Sequence, residues 1–210
     1  MEIALGRCDI ERMAQVGVTS RRSARSQAAL TEEHLARLAA LAEADHQAFT
    51  RVRGRPEYRS RRLAVVLAQG AARHFLDGRT GVKDLDVWTF YAAIPGIRFP
   101  ADRRETHADF GPSSLGRQAY DLTAARNARE RALWRRWSAY EGRRVDFMMR
   151  ALQVDVDGSL SVVLQAVRDW VAQGSRITAS SKPSAWYLSK KAGVLLYPES
   201  RRGEVLWRSG

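Results

Sequence analysis

Two short apolar runs, separated by a segment of helical character, set the strongest limit on how this chain of 210 residues folds. The run over residues 63–69 (LAVVLAQ) and the run over residues 85–92 (LDVWTFYA) have the length and the content of β-branched, aromatic and leucine residues that are typical of buried strands. Between them, residues 70–78 (GAARHFLDG) predict a short helix that ends at Gly78. This alternation of strand and helix favours an α/β or α+β fold over an all-α fold.

Apolar periodicity and turn residues predict the other elements. Thr31 has the side chain of a helix N-cap, and Leu35, Leu38 and Ala42 recur after it at helical spacing. In chain order, we predict a helix over 31–49, a long polar loop over 101–118, a helix over 121–140, a strand over 143–152, a turn at 157–158, a helix over 160–171, a helix opened by Pro183 and two short strands within 192–207. We therefore expect an α/β (α+β) fold with a short mixed β-sheet flanked by helices. Residues 1–30 are expected to form an N-terminal arm and residues 31–210 a single domain with a C-terminal extension.

The charge of the chain indicates an anionic partner. Its 35 Lys and Arg residues exceed its 23 Asp and Glu residues, for a net charge of +12, and such a surface attracts polyanions. Arginines cluster within residues 51–62 and again within 126–136. Contact with a nucleic-acid phosphate backbone would account for both clusters. For the cluster within residues 51–62, a solvated linker is an open alternative.

Other compositional features set the expected compartment. No run of about 18 apolar residues predicts a transmembrane helix, and the first residues (MEIALGRCDIERMAQ) do not resemble a signal peptide. The single cysteine, Cys8, excludes an internal disulfide and a cysteine-rich zinc site. We expect a cytoplasmic protein without a membrane partner.

Three aspartates in or beside apolar strands are the candidate catalytic and metal-binding residues. Asp84 and Asp86 alternate with Leu85 and therefore project to the same side of a strand. Adjacent carboxylates repel each other, so such a pair is tolerable when it is exposed or when a divalent cation lies between its members. Asp146 stands inside the third predicted strand. An ion pair with Arg144 accounts for Asp146 by itself, and a metal site shared with the first two aspartates accounts for all three.

The order of an apolar strand, Gly70, a short helix, Asp84-x-Asp86 and a later Asp146 resembles the DNA polymerase β-like nucleotidyltransferase superfamily. Within residues 63–150, the sequence is most similar to the minimal nucleotidyltransferases of the abortive-infection and toxin type. Those proteins carry a Gly-Gly helix, a turn with a basic residue and Thr or Ser, and then Asp-x-Asp.

The resemblance implies roles for particular residues. Gly70 would lie where the chain approaches a nucleoside triphosphate, and the catalytic Asp84, Asp86 and Asp146 would bind two Mg²⁺ ions. Asp146 would also help to deprotonate the acceptor hydroxyl. Arg79 and Thr80 stand where the family has its basic-Thr turn and would contact the nucleotide. Apart from the resemblance, Lys190 or Lys191 is a candidate to reach the triphosphate as a point charge, with two surface lysines as the open alternative.

The implied reaction is transfer of a nucleotidyl group from a nucleoside triphosphate, ATP among them, to an acceptor hydroxyl with release of pyrophosphate. The basic surface favours RNA, and tRNA in particular, as the acceptor, and a protein hydroxyl or a small molecule is an open alternative. The resemblance also implies a toxin–antitoxin role with an acidic partner protein. Ala71 and Ala72 follow Gly70 where the family has Ser, Gly or Thr, which leaves open a catalytically degenerate member.

A second hypothesis needs no enzyme. The chain is then a basic nucleic-acid-binding module in which the three aspartates are structural.

His107 and Asp109, in the predicted polar loop, are further candidates for a cover over the site, with an ordinary solvent loop as the alternative. The sequence contains neither the Gly-x4-Gly-Lys-Ser/Thr motif of P-loop ATPases nor the Gly-x-Ser-x-Gly elbow of α/β-hydrolases.

Overall fold

A computed structural model describes residues 25–100, 106–173 and 192–209. These residues form a six-stranded mixed β-sheet with helices on both faces, which confirms the predicted fold class. The elements are α1 Glu32–Gln47, β1 Arg62–Ala68, α2 Gln69–Asp77, β2 Leu85–Ala92, β3 Thr106–Asp109, α3 Ala128–Trp137, β4 Arg144–Leu152, α4 Leu160–Gln173, β5 Ala192–Tyr197 and β6 Val205–Arg208.

The sheet has the strand order β3-β4-β2-β1-β5-β6. Strands β2 and β4 are parallel, and the other neighbouring pairs are antiparallel. The C-terminal end of β1 therefore lies beside the N-terminal ends of β2 and β4. One row of register partners crosses the whole sheet at this end: His107, Asp146, Asp86, Ala68, Gly193 and Trp207.

Each face of the sheet has its own apolar core. Helices α1 and α2 cover one face, where Leu35 and Leu38 pack with Leu67, Leu85 and Val87. Helix α4 covers the other face, where its Val163 and Val167 pack with Val66 of β1, Phe90 of β2 and Leu195 of β5. The alternation in β2 follows from this layering, because odd-numbered Leu85 and Val87 face the first core while Asp86 and Trp88 face the side of α4.

Local sequence accounts for the boundaries of the first two helices. Thr31 caps α1 in a capping box, in which its side chain accepts from His34 N and its backbone N–H donates to His34 Nδ1 at 3.0 Å. Gly78 ends α2 in the left-handed conformation with φ 62°, which glycine adopts without steric cost. These boundaries confirm the predicted starts and ends to within two residues.

Two predicted segments differ from the structure. The helix over 121–140 is interrupted: a 3₁₀ turn occupies Leu122–Ala124, and α3 begins only after Asn127, whose side chain accepts from Glu130 N at 2.8 Å. No residue of α3 is buried, so its apolar residues do not form the expected core stripe. The predicted loop over 101–118 contains β3, which is an edge strand and carries polar residues for that reason.

Some expectations lie outside the described residues. These are the first 24 residues of the predicted arm and the helix predicted after Pro183. Of the arm, Ser26 forms an isolated bridge with Val82. Among the described helices, none combines the length and the apolar character that a membrane span requires.

Candidate active site at one end of the sheet

The three aspartates lie together where β2 and β4 begin. Asp86 and Asp146 are direct register partners across the parallel strands, and Asp84 precedes the first residue of β2. Arg144 Nη2 donates to Asp84 Oδ2 at 3.3 Å and forms an ion pair with Asp146 Oδ2 at 2.6 Å. Sequence segments about sixty residues apart thus converge as predicted, and the ion pair with Arg144 that the sequence left open is also present.

Arg144 lies at the centre of this cluster. It is 8% exposed, and its guanidinium carbon lies 3.6 Å from the centroid of the Trp137 ring, a cation–π contact. Its Nε and Nη1 are buried and have no hydrogen-bond partner among the described residues. The guanidinium therefore lies between two of the three carboxylates for which the sequence predicted a shared metal site.

His107 contacts the same aspartate from the other side. It is the register partner of Asp146 on β3, and its Nδ1 lies 2.6 Å from Asp146 Oδ1. The ring packs edge-on against Trp137, with 5.2 Å between the centroids. The two carboxylate oxygens of Asp146 are thus engaged by different partners, His107 and Arg144.

An aromatic cover lies over the carboxylates. Tyr120 packs against Trp134 and Trp137 of α3, with ring centroids 6.0 Å and 5.8 Å apart. Burial, together with the nearby carboxylates of Asp146 and Asp84, raises the pKa of Tyr120 to about 12. The hydroxyl is buried without a partner in the described part of the chain. Sequence analysis missed Tyr120, and no pattern around it indicates a site.

Arg143 fixes the chain that carries Asp84. This buried arginine donates from Nε to Leu115 O at 2.9 Å and from Nη1 to Lys83 O at 3.2 Å. The second bond ties the residue before Asp84 to the start of β4. The pair Arg143 and Arg144 therefore links β4 both to the backbone and to the side chain at the entry of β2.

The donor chemistry of the cluster fits magnesium only in part. Asp84 and Asp86 offer carboxylate oxygens, which suit Mg²⁺ when substrate phosphates supply further ligands. No group of three or more His, Cys, Asp or Glu side chains within the described residues is arranged to hold a metal ion. A two-ion site that uses Asp146 does not fit while Arg144 and His107 hold both of its oxygens, and the two ions stay a prediction.

Gly70 lies at the same end of the sheet. Helix α2 follows β1 without a loop, and Gln69 at the junction has φ 60°, an uncommon conformation for a residue other than glycine. A Cβ atom built on Gly70 would lie 3.6 Å from Arg25 Nη1 and 4.0 Å from Thr80 Cγ2. The N-terminus of α2 thus lies beside Thr80 and directly follows Ala68, the register partner of Asp86.

The turn at Arg79 and Thr80 is held by Asp77. The carboxylate accepts from Arg79 N at 2.8 Å, from Thr80 N at 3.1 Å and from Thr80 Oγ1 at 2.9 Å. Burial by itself raises the pKa of a carboxyl group, but these hydrogen bonds outweigh it and lower the pKa of Asp77 to about 2. The Thr80 hydroxyl therefore has a structural partner, whereas the Arg79 side chain is exposed.

The remaining candidates have structural surroundings or lie outside the described residues. Ala71 and Ala72 are buried in the core between α2 and the sheet, so a hydroxyl in their place would face that core. Asp109 accepts from Gly111 N, Glu141 N and Gly142 N at 2.8–2.9 Å and thus fixes the connection at the start of β4. Lys190 lies outside the described residues.

A small pocket lies between the sheet and α4, near the start of α2. It is lined by Val66, Ala68, Gln69, Trp88 and Trp170, together with Val171 and Ala192. The indoles of Trp88 and Trp170 lie 4.9 Å apart and form one wall. The pocket thus places an apolar, aromatic surface at Ala68, the register partner of Asp86.

Comparison of the chain with protein-family models, curated proteins and solved structures gave no match.

Proposed function

We propose that the chain is a nucleotidyltransferase that binds a nucleoside triphosphate at the end of the sheet where Gly70, Asp84, Asp86 and Asp146 meet. One observation carries the proposal: Asp86 stands in register with Asp146 on one side and with Ala68, next to the N-terminus of α2, on the other. Carboxylates and backbone N–H donors thus adjoin each other, which is the combination that a metal-bound triphosphate requires.

The N-terminus of α2 would bind the triphosphate. Its first backbone N–H groups have no partner within the helix, and the helix dipole favours negative charge at this end. Gly70 leaves the approach to these N–H groups open because it has no side chain. The left-handed Gln69 turns the chain directly from β1 into α2, and backbone strain of this kind often occurs at functional sites.

The carboxylates would act on the reacting phosphate. Asp84 and Asp86 would hold Mg²⁺, which when bound neutralises the charge of the phosphates. The acceptor oxygen attacks the α-phosphorus, the bond to the β-phosphate oxygen breaks, and pyrophosphate leaves. Asp146 would accept the proton of the acceptor hydroxyl once His107 or Arg144 releases one of the two oxygens that they hold.

RNA is the acceptor that the surface favours. Helix α3 ends at Trp137, whose ring contacts Arg144 in the carboxylate cluster. The exposed arginines of this helix are Arg129, Arg131, Arg135 and Arg136, and the exposed Arg126 lies just before it. The other arginine-rich segment, residues 51–61, precedes the N-terminal end of β1. That end lies about 20 Å from Ala68 at the C-terminal end of the strand, because a strand rises about 3.3 Å per residue. A toxin-type role with an acidic partner protein follows only from the sequence resemblance.

Label transfer tests the proposal. The protein is incubated with each α-³²P-labelled nucleoside triphosphate, Mg²⁺ and total RNA, and we expect label on the RNA. The double variant Asp84→Ala/Asp86→Ala should lose this transfer, whereas Asp169→Ala, which removes an exposed carboxylate from α4, should retain it. Transfer that survives in the double variant would refute the assigned roles.

A basic nucleic-acid-binding module without catalysis is the second candidate. The observation in its favour is that Arg144 already pairs with Asp84 and Asp146, which gives the acidic residues a structural role. It predicts salt-dependent binding of RNA that needs no metal ion. Magnesium-dependent binding of a nucleoside triphosphate counts against it.

A further inference from the structure

We propose that Arg144 is a built-in counter-cation that takes the place of a divalent metal ion between Asp84 and Asp146. In the absence of nucleotide, the protein then binds divalent cations weakly. Removal of the guanidinium group opens a divalent-cation site between Asp84 and Asp146. The inference shares these two residues with the proposed function and rests on it for their assignment to one reactive site.

The position of the guanidinium group makes it a competitor of a metal ion. Its Nη2 atom lies 3.3 Å from Asp84 Oδ2 and 2.6 Å from Asp146 Oδ2. A cation that bound the same two oxygens would lie within a few ångströms of this positive charge and be repelled by it. Since both cannot occupy the space between the carboxylates, either the guanidinium or the metal ion is present.

The surroundings of Arg144 keep it in this position. Its side chain is 10% exposed, and the Trp137 ring covers one face of the guanidinium. A buried charge without a partner is costly, so the side chain remains with the carboxylates unless another anion replaces them. His107 also lies against Asp146 Oδ1 and limits the access of a cation from the side of β3.

A second observation indicates that the ion pairs do not complete the site. The Nε and Nη1 atoms of Arg144 are buried and have no hydrogen-bond acceptor within the described ranges. Buried donors without a partner are rare in native proteins. Anionic oxygens, such as those of a phosphate group, are the acceptors that a guanidinium binds best. Arg144 is therefore placed to contact a phosphate as well as to neutralise carboxylates.

The experiment is a titration with Mn²⁺ in the absence of nucleotide, followed by the electron paramagnetic resonance of free Mn²⁺. Arg144→Met keeps an apolar stem against Trp137 and removes the charge. We expect it to bind Mn²⁺ at least about tenfold more tightly than the wild type, a difference of about 1.4 kcal/mol. Arg144→Lys retains a positive charge and should resemble the wild type.

Two controls assign the new site to the carboxylates. Arg135→Gln removes an exposed charge from α3 without touching Asp84 or Asp146, and its Mn²⁺ affinity should equal that of the wild type. The gain in Arg144→Met should disappear in Arg144→Met/Asp146→Asn. A gain that persists in this double variant would overturn the inference, as would equal affinity of Arg144→Met and the wild type.

The wild type provides a test that does not depend on the folding of an Arg144 variant. We expect Asp146→Asn to leave its weak Mn²⁺ binding unchanged. Tight binding by the wild type that Asp146→Asn abolishes would show that the metal site is already open, and would refute the inference. Neither result depends on nucleotidyl transfer, so the proposed function and this inference can fail separately.

Discussion

Asp86 and Asp146 stand directly opposite each other across the parallel strands β2 and β4. This register places the carboxylates of Asp86 and Asp146 on one face of the sheet. Arg144, two residues before Asp146, adds a positive charge there and forms ion pairs with Asp84 and Asp146. The ion pairs of the candidate site therefore also connect the start of β2 to β4. Stability and function can be tested at the same residues.

The ion pair between Arg144 and Asp146 should show strong coupling. Asp146→Asn leaves a buried guanidinium with a weaker set of partners, so we expect the free energy of unfolding to fall by about 2–4 kcal/mol. Arg144→Met/Asp146→Asn removes both charges and should cost less than the sum of the single variants. Urea denaturation of the four proteins in this cycle measures the coupling, and additive effects would contradict it.

Gly142 should tolerate no side chain. A Cβ atom at this position would collide with the backbone of Gly111, its carbonyl carbon at 2.6 Å, so Gly142→Ala should lower the free energy of unfolding by about 2–4 kcal/mol. Gly70→Ala is the matched control, because its Cβ would meet only ordinary contacts. Urea denaturation of Gly70→Ala should give a value close to that of the wild type.

Gly70→Ala should instead affect nucleotide binding. The added methyl group lies where a phosphate would approach the backbone at the start of α2, while the fold accommodates it. We expect affinity for a nucleoside triphosphate to fall at least about tenfold, or about 1.4 kcal/mol, as measured by calorimetry. Unchanged affinity would contradict the role of Gly70.

Gln69 should carry backbone strain. Its φ of 60° costs a residue with a side chain about 1 kcal/mol relative to glycine. Gln69→Gly is therefore expected to be as stable as the wild type or slightly more stable, since the relief of strain offsets the greater entropy of the unfolded chain. A clear loss of stability in urea would show that the side chain itself stabilises the junction.

Asp77 should make stability depend on pH in the acid range. Its folded pKa of about 2 lies below the ordinary value of 3.8, so its contribution is present above about pH 4 and is lost as the pH falls toward 2. The stability difference between the wild type and Asp77→Asn should be about 1–2 kcal/mol at neutral pH and shrink over this window. Urea denaturation at several pH values measures it, and a constant difference would contradict the hydrogen-bonding account.

The strands and helices that pack on the sheet could be predicted because their patterns are local. Leu85 and Val87 alternate with Asp86, and Gly78 ends a helix, whatever surrounds them. Strand β3 escaped prediction because an edge strand is half-exposed and lacks an apolar pattern. Helix α3 was predicted too long because Asn127 caps it in the middle of the expected helix.

The sequence named Asp84, Asp86 and Asp146 as the centre of the candidate site, with Gly70 and His107 beside them, and it left an ion pair of Asp146 with Arg144 open. Asp84, Asp86 and Asp146 could be singled out because carboxylates within or beside apolar runs are uncommon, whatever the surrounding structure. The contacts of Asp146 with His107 and of Arg144 with Asp84 depend on the register between strands that are distant in sequence. A sequence alone does not fix that register, so neither the position of His107 nor the bridging role of Arg144 could be derived from it.

The affinity for a nucleoside triphosphate with a non-hydrolysable α–β bridge, measured by calorimetry with Mg²⁺, tests the central claim most directly. If Asp84 and Asp86 act through a metal ion, Asp84→Ala/Asp86→Ala should bind this analogue at least about tenfold more weakly than the wild type. If the chain attracts triphosphates only through its positive charge, removal of two carboxylates should strengthen binding. Weaker binding is the result that we predict, and unchanged or tighter binding would contradict the proposed site.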